Sequence, residues 1–222
     1  MTEVVVINGS PRLNKGNTAM VLNPFIEGME AAGAKISLYH ASKLNLKQCN
    51  CGNLHCWNKA PGICIHHDDM QIVLEALKRA EILVLGIPMY SPLPGAMQTF
   101  LNRLCPIIDP ILSFREERTR AKIRKEYKLN KIVLVGICGW WEIENLDTIV
   151  RIVREIADDA SITFAGAILR PHVDVLRFTG QDVLENVKIA GSELITTGNL
   201  DPELLTVISR PLIPMEKYID NL

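Results

Sequence analysis

The chain has 222 residues, 25 acidic and 24 basic side chains, a formal net charge of −1, and 48% apolar residues. That balance gives no electrostatic footprint for nucleic acid or for an anionic membrane surface. No apolar stretch approaches the roughly 20 residues of a membrane span, and the short apolar run at the front, which carries Glu3, is no secretory signal. The expected setting is cytoplasmic. Six cysteines without a secretory signal then read as thiols or metal ligands rather than a disulfide framework.

In chain order, apolar strand-like runs fall at 3–8, 35–40, 82–88, 131–138 and 162–168, and helical patterns at 18–32, 69–79, 96–108, 145–158 and 181–197. The strands are apolar nearly throughout, as strands covered on both faces must be. Five strands alternating with helices predict an α/β fold: a doubly wound, five-stranded parallel sheet of order 2-1-3-4-5 with helices on both faces. Such a sheet binds its ligand beyond the carboxyl ends of the strands, at the topological switch point.

The first strand runs into Gly9-Ser10-Pro11-Arg12-Leu13-Asn14-Lys15-Gly16-Asn17-Thr18 and then a helix. Strand, hydroxyl- and glycine-rich turn, and helix together present backbone N–H groups and a positive helix end to an anion. Ser10, Asn17 and Thr18 add side-chain donors, and Arg12 and Lys15 add charge. Neither the dinucleotide fingerprint nor the P-loop pattern is present. A bland alternative is a helix simply capped by Asn17 or Thr18.

The next segment, 41–68, holds Cys49, Cys51, Cys56 and Cys64 in a C-x1-C-x4-C-x7-C spacing. Four thiolates there leave three readings open: an iron–sulfur cluster, a zinc site that recruits a histidine, or no metal. His66 and His67 otherwise read as loop residues, and Asp68 or Asp69 as the cap of the following helix. The loop after the third strand is Gly86-Ile87-Pro88-Met89-Tyr90-Ser91-Pro92-Leu93-Pro94-Gly95. Residues 109–130 are a mixed-charge insertion, which includes Arg115-Glu116-Glu117-Arg118 and reads as a solvated helix. The loop after the fourth strand carries Cys138, Gly139, Trp140 and Trp141. Its tryptophans suit a stacking surface or a subunit interface equally, and Cys138 reads as a small buried hydrophobe. From Asp201 on, Pro202, Pro211 and Pro214 mark a tail that packs on the domain or on a neighbouring subunit.

The GSPR…GNT turn resembles the phosphate loop of the flavodoxin-like NAD(P)H-dependent FMN reductase and iron–sulfur flavoprotein family, and the P-x-Y loop resembles that family's flavin-cradling loop. The resemblance covers about residues 1–170. It implies non-covalently bound FMN, with Ser10, Arg12, Gly16, Asn17 and Thr18 at the phosphate. Pro88, Met89, Tyr90, Ser91 and Leu93 would hold one edge of the ring, and Cys138, Gly139 and Trp140 the other. No dedicated acid or base is implied, because the flavin carries the chemistry. Arg103 matches the family pattern, whereas Gln98 and Asn102 replace its Lys and Asp. The cysteine region resembles that of the cluster-bearing members but departs from their compact spacing. The resemblance thus implies NAD(P)H-dependent reduction of FMN, with electrons passed to a quinone, flavin or other small acceptor, in a homodimer or homotetramer. A [4Fe–4S] electron carrier fed by ferredoxin is the alternative. A non-redox, zinc-stabilised module for another phosphorylated ligand is a further one. The expected organisation is an FMN-binding domain at 1–170, with the cysteine loop at 41–68, and a C-terminal extension at 171–222.

Overall fold

The computed structural model describes residues 1–115 and 117–220. Glu116, within the mixed-charge insertion, and Asn221 and Leu222, at the end of the tail, lie outside the described residues. The elements in order are β1 (Glu3–Asn8), α1 (Asn17–Ala31), β2 (Lys35–His40), α2 (His55–Asn58), α3 (Met70–Arg79), β3 (Ile82–Pro88), α4 (Gly95–Asn102), β4 (Ile108–Arg115), β5 (Arg118–Ile123), β6 (Lys131–Ile137), α5 (Asp147–Ala160), β7 (Thr163–Arg170), α6 (Leu176–Thr179), α7 (Gln181–Thr196), α8 (Pro202–Ser209) and α9 (Met215–Ile219).

Five strands form one parallel sheet of order β2-β1-β3-β6-β7. This is the doubly wound flavodoxin-like arrangement that the alternation predicted. β3 is buried at every position, as a central strand covered on both faces must be, while β2 at the edge is half-buried. Two apolar layers flank the sheet. One packs α3, α4 and α5 against residues such as Leu83, Leu85 and Leu134. The other packs α1 and α7 against Val4, Val6, Val84 and Val133.

Helices α1 and α7 cross at backbone contact. A Cβ on Gly28 would lie 1.9 Å from the Lys188 carbonyl oxygen, and one on Gly191 would lie 2.1 Å from that of Phe25. Only glycine at both positions allows this approach. α7 thereby covers the outer layer that α1 alone leaves open.

Two expectations are corrected. The helix predicted at 96–108 stops at Asn102, because Pro106 has no N–H to offer the carbonyl of residue 102 and its ring would collide with it. The predicted solvated helix in 109–130 is instead a two-stranded antiparallel hairpin, β4–β5. Pro110 opposes a helix there, and Arg118-Thr119-Arg120-Ala121-Lys122-Ile123 alternates with period two. Arg118 and Arg120 tie the hairpin to Glu155 and Asp159 of α5, each at 3.1 Å.

Candidate functional site

The carboxyl ends of β1, β3, β6 and β7 converge on a pocket of about 130 Å³. Ser10, Arg12, Asn17 and Thr18 line one side, Pro88, Met89 and Tyr90 a second, Ile137, Cys138 and Gly139 a third, and Val173 and Asp174 close it. A larger apolar cavity of about 380 Å³ lies near the amino ends of β3, β6 and β7, lined by Leu83, Cys105, Leu112, Ile132 and Ile156 among others. Its lining is mostly hydrocarbon and includes no lysine or arginine, so it does not suit an anion.

The turn after β1 is shaped by a residue that the motif reading passed over. Asn8 is 1% exposed; its Oδ1 accepts from Ser10 N (2.9 Å) and its Nδ2 donates to the Leu13 carbonyl (3.4 Å). Ser10 Oγ then accepts from Arg12 N at 3.2 Å. Gly16 fits against that hydroxyl so closely that a Cβ would lie 2.6 Å from it. α1 starts immediately after, with Gly16 in the capping position and no side chain capping it. The alternative of a helix simply capped by Asn17 or Thr18 is therefore not what the structure shows. The N–H groups of Ala19 and Met20 bond the Gly16 carbonyl, those of Asn17 and Thr18 take no backbone bond, and Thr18 Oγ1 is buried with no hydrogen-bond partner among the described residues. Uncapped N–H groups, an unpaired buried hydroxyl, and the neighbouring cations Arg12 and Lys15 are donors and charges of the kind that bind anions.

The loop after β3 is fixed across the sheet: Met89 N donates to the Ile137 carbonyl and Tyr90 N to that of Pro92, both at 2.8 Å. Tyr90 is half-exposed. Leu93 turns into the core, and Ser91 is exposed outside the pocket lining. Cys138 is buried, as its residue type suggested. Trp140 stands 59% exposed beyond the lining.

Trp141 points the other way. Its Nε1 donates to the Ile213 carbonyl at 3.3 Å, and its ring stacks on His172. Arg170, fully buried, donates to the carbonyls of Ile208 (2.6 Å) and Arg210 (3.0 Å) and to His172 Nε2 (2.6 Å). Tyr218 Oη donates to the Gly139 carbonyl. The tail thus braces the loop that forms one wall of the pocket. His172 Nε2 takes N–H groups from Arg170 and Leu212, so the ring is neutral, with its proton on Nδ1 facing the Trp141 carbonyl.

Burial, and then the charge of Arg170, hold His172 down at about 4, from 6.5. The unfolded chain binds this proton below pH 6.5 and the folded chain does not. The contribution of His172 to stability is therefore complete above pH 6.5 and is lost as the pH falls toward about 4. Thermal melts are expected to drop through this window in the wild type and to be flatter in His172→Gln; parallel curves would refute the assignment.

Cys49, Cys51, Cys56 and Cys64 come together with a fifth thiol, Cys105, that their sequence spacing gave no reason to include. Trp57 Nε1 donates to the Cys105 carbonyl at 2.8 Å, and Arg124 bridges the carbonyls of Pro106 (2.9 Å) and Cys56 (3.4 Å). Burial pushes the Cys56 thiol up to about 11, with Cys105, Cys51 and Cys64 adding in the same direction. All six cysteines are free. Among the described residues, no three His, Cys, Asp or Glu side chains are placed to hold a metal ion.

The same loop is anchored by a buried ion pair. Arg103 donates to Asp68 at 2.6 and 2.9 Å and to the Lys47 carbonyl at 2.7 Å. Burial alone would raise the Asp68 carboxyl, but the Arg103 hydrogen bonds and the N–H groups of Lys47 and Met70 prevail and hold it at about 2. Asp69 occupies the capping position of α3 without a side-chain cap bond; Asp68 Oδ1 accepts from Met70 N instead, at 3.2 Å. Gln98 and Asn102, which differ from the family pattern, simply bond each other at 3.0 Å.

A family model described as NADPH-dependent FMN reductase matches residues 2–124. Among curated proteins, an iron-sulfur flavoprotein of Archaeoglobus fulgidus is 29% identical over 102 residues, 46% of this chain and 48% of that protein. An iron-sulfur flavoprotein of Methanocaldococcus jannaschii is 32% identical over 108 residues, 48% of this chain and 52% of that protein. The chain spans about half the length of the curated relatives it matches. Among solved structures, an FMN-dependent NADH-azoreductase from Bacillus anthracis in complex with FMN aligns with a TM-score of 0.62 at 16% identity, covering 88% of this chain and 100% of that one. An NAD(P)H:quinone oxidoreductase from Methanothermobacter marburgensis aligns with a TM-score of 0.60 at 17% identity, covering 87% and 98%. At these identities the structural likeness shows a shared fold.

Proposed function

From the premise that the chain belongs to the NADPH-dependent FMN reductase family, we propose that it holds FMN non-covalently at the carboxyl ends of β1, β3 and β6 and reduces it with NAD(P)H. The observation that carries this is the uncapped start of α1 beside the partnerless Thr18 Oγ1. These donors suit a phosphate, so the residues present fit the group. When bound, FMN supplies two-electron chemistry between a nicotinamide and a small acceptor such as a quinone or free flavin.

The chain's own residues bind and orient. Ser10, Asn17 and Thr18 present donors to the phosphate, and Arg12 and Lys15 supply charge. A pocket of about 130 Å³ would receive the phosphate and part of the side chain. The Pro88–Tyr90 loop and the Cys138–Gly139 loop would hold the ring between them, and Tyr90 and Trp140 would offer it aromatic surfaces. Pro88 and Ile137, at the ends of β3 and β6, keep the floor of the slot dry. No side chain in this pocket is required as a dedicated acid or base. Both aromatic residues are solvent-facing, which suits closure of the ring by a second copy in a homodimer or homotetramer.

The test is anaerobic addition of NADPH, and separately NADH, to the FMN-loaded protein. Bleaching of the visible flavin band by either donor, reversed by a quinone, is the expected result. A band that neither donor bleaches would overturn the reading.

The clustered thiols favour a second reading, in which electrons reach the flavin through an iron–sulfur cluster. The relatives from Archaeoglobus fulgidus and Methanocaldococcus jannaschii carry that description. As placed, the five thiols do not surround a metal, and no step is derived through one. Iron analysis of anaerobically purified protein decides it: about four irons per chain would match a [4Fe–4S] cluster, and negligible iron would remove this reading.

A further inference from the structure

The pocket has one acidic residue in its lining, Asp174, and nothing in the phosphate-loop motif accounts for it. Asp174 follows β7, outside the stretch matched by the family model. Its Oδ1 accepts from Asn17 Nδ2 at 2.5 Å, while Arg177, one turn further on, donates to Asn17 Oδ1 at 2.8 Å. The amide of the first residue of α1 is thus gripped at both ends by one short segment, and its orientation is set by the charges on either side.

A carboxylate beside an anion site is unfavourable unless it has other work, because like charges repel. The two oxygens divide that work. Oδ1 is committed to Asn17. Oδ2 lies beside the loop after β6: a Cβ on Gly139 would lie 3.7 Å from it. Oδ2 takes none of the hydrogen bonds found among the described residues. It therefore offers an acceptor midway between the phosphate turn and the ring-binding loops. A carboxylate only accepts hydrogen bonds, so what it suits there is a hydroxyl-bearing chain.

We propose that Asp174 is a binding residue for the polyol that joins the phosphate to the ring, accepting ribityl hydroxyl protons with Oδ2 while Oδ1 positions Asn17. This rests on the FMN reading and extends it to a segment beyond the matched family region. Arg177 balances the carboxylate's charge, so that the site keeps the net positive character that Arg12 and Lys15 give it.

The test compares FMN, riboflavin and lumiflavin, which share the ring; riboflavin lacks the phosphate, and lumiflavin lacks both phosphate and polyol. Affinities are measured by fluorescence titration for the wild type, Asp174→Ala and Asp174→Asn. Asp174 is solvent-facing, and the second variant preserves its shape. The expected result is a loss of about tenfold for FMN and riboflavin alike in Asp174→Ala, a smaller loss for both in Asp174→Asn, and unchanged lumiflavin binding. A loss confined to FMN would mean that Asp174 acts only through Asn17 at the phosphate. An equal loss for all three ligands would mean a general structural role, and tighter FMN binding would mean that the carboxylate merely opposes the phosphate. Each of these overturns the proposal while leaving the FMN reading intact. A wild type that takes up none of the three overturns that reading and the proposal with it.

Discussion

Gly16→Ala is expected to fold normally and to bind FMN about ten- to a hundredfold more weakly than the wild type. The backbone at Gly16 is ordinary, with φ −85° and ψ 157°, so alanine carries no conformational strain there. The cost is contact: the new methyl would lie 2.6 Å from Ser10 Oγ and 3.1 Å from Arg12 Cβ. Ser10 must move, and with it the hydroxyl that receives Arg12 N and shapes the turn. Hydrogen bonds to a charged group contribute roughly 1.5–3 kcal/mol each, and losing or misaligning one gives about the stated loss at roughly 1.4 kcal/mol per tenfold. Riboflavin, without the phosphate, is expected to lose far less. Flavin titration together with a melting curve checks both halves. Wild-type FMN affinity in Gly16→Ala would show that the turn does not hold the phosphate.

Arg103→Met is expected to destabilise the chain by about 3–5 kcal/mol, the range for breaking a buried ion pair from one side. For a chain of this length that lowers the melting temperature by roughly 6–20 °C. The side chains of Arg103 and Asp68 are 1% and 2% exposed. Methionine would fill much of the arginine's space but leave the Asp68 carboxylate buried without its partner. The carbonyl of Lys47 loses its donor as well. The cysteine loop hangs between these anchors, so proteolysis within residues 47–67 is expected to accelerate in the variant. Asp68→Leu combined with Arg103→Met is expected to be milder than Arg103→Met alone, because the unpaired charge is gone. A melting temperature within about 2 °C of wild type for Arg103→Met would contradict the account.

The sheet and the glycine-rich turn after β1 were legible because both are written contiguously. β1, β3 and β6 are unbroken apolar runs, and the turn's glycines, hydroxyls and cations lie within ten residues of sequence. The hairpin was hidden because the charged positions of its alternating pattern include arginines, Arg118 and Arg120, that bond α5, and a charge-rich stretch reads as a solvated helix. Pro110 and Pro106 were the signals that would have corrected it. Residues that act through long-range contact were illegible for a different reason. Asn8 is an unremarkable strand end until its amide is seen bracing the turn. Cys105 lies more than forty residues beyond Cys64 and joins the other thiols through the packing of α2 on the turn that follows α4. Asp174 and Arg177 reach Asn17 across more than 150 residues of chain. Nothing in a local pattern pairs such positions.

The proposed function stands or falls with the free start of α1 as a phosphate site for a flavin. Titrating the purified, flavin-stripped chain with FMN and with riboflavin, in the presence and absence of inorganic phosphate, tests it most directly. Saturation at about one FMN per chain, markedly weaker binding of riboflavin, and competition by inorganic phosphate against FMN alone are the expected results. Equal affinity for the two flavins, or no uptake of either, would contradict it.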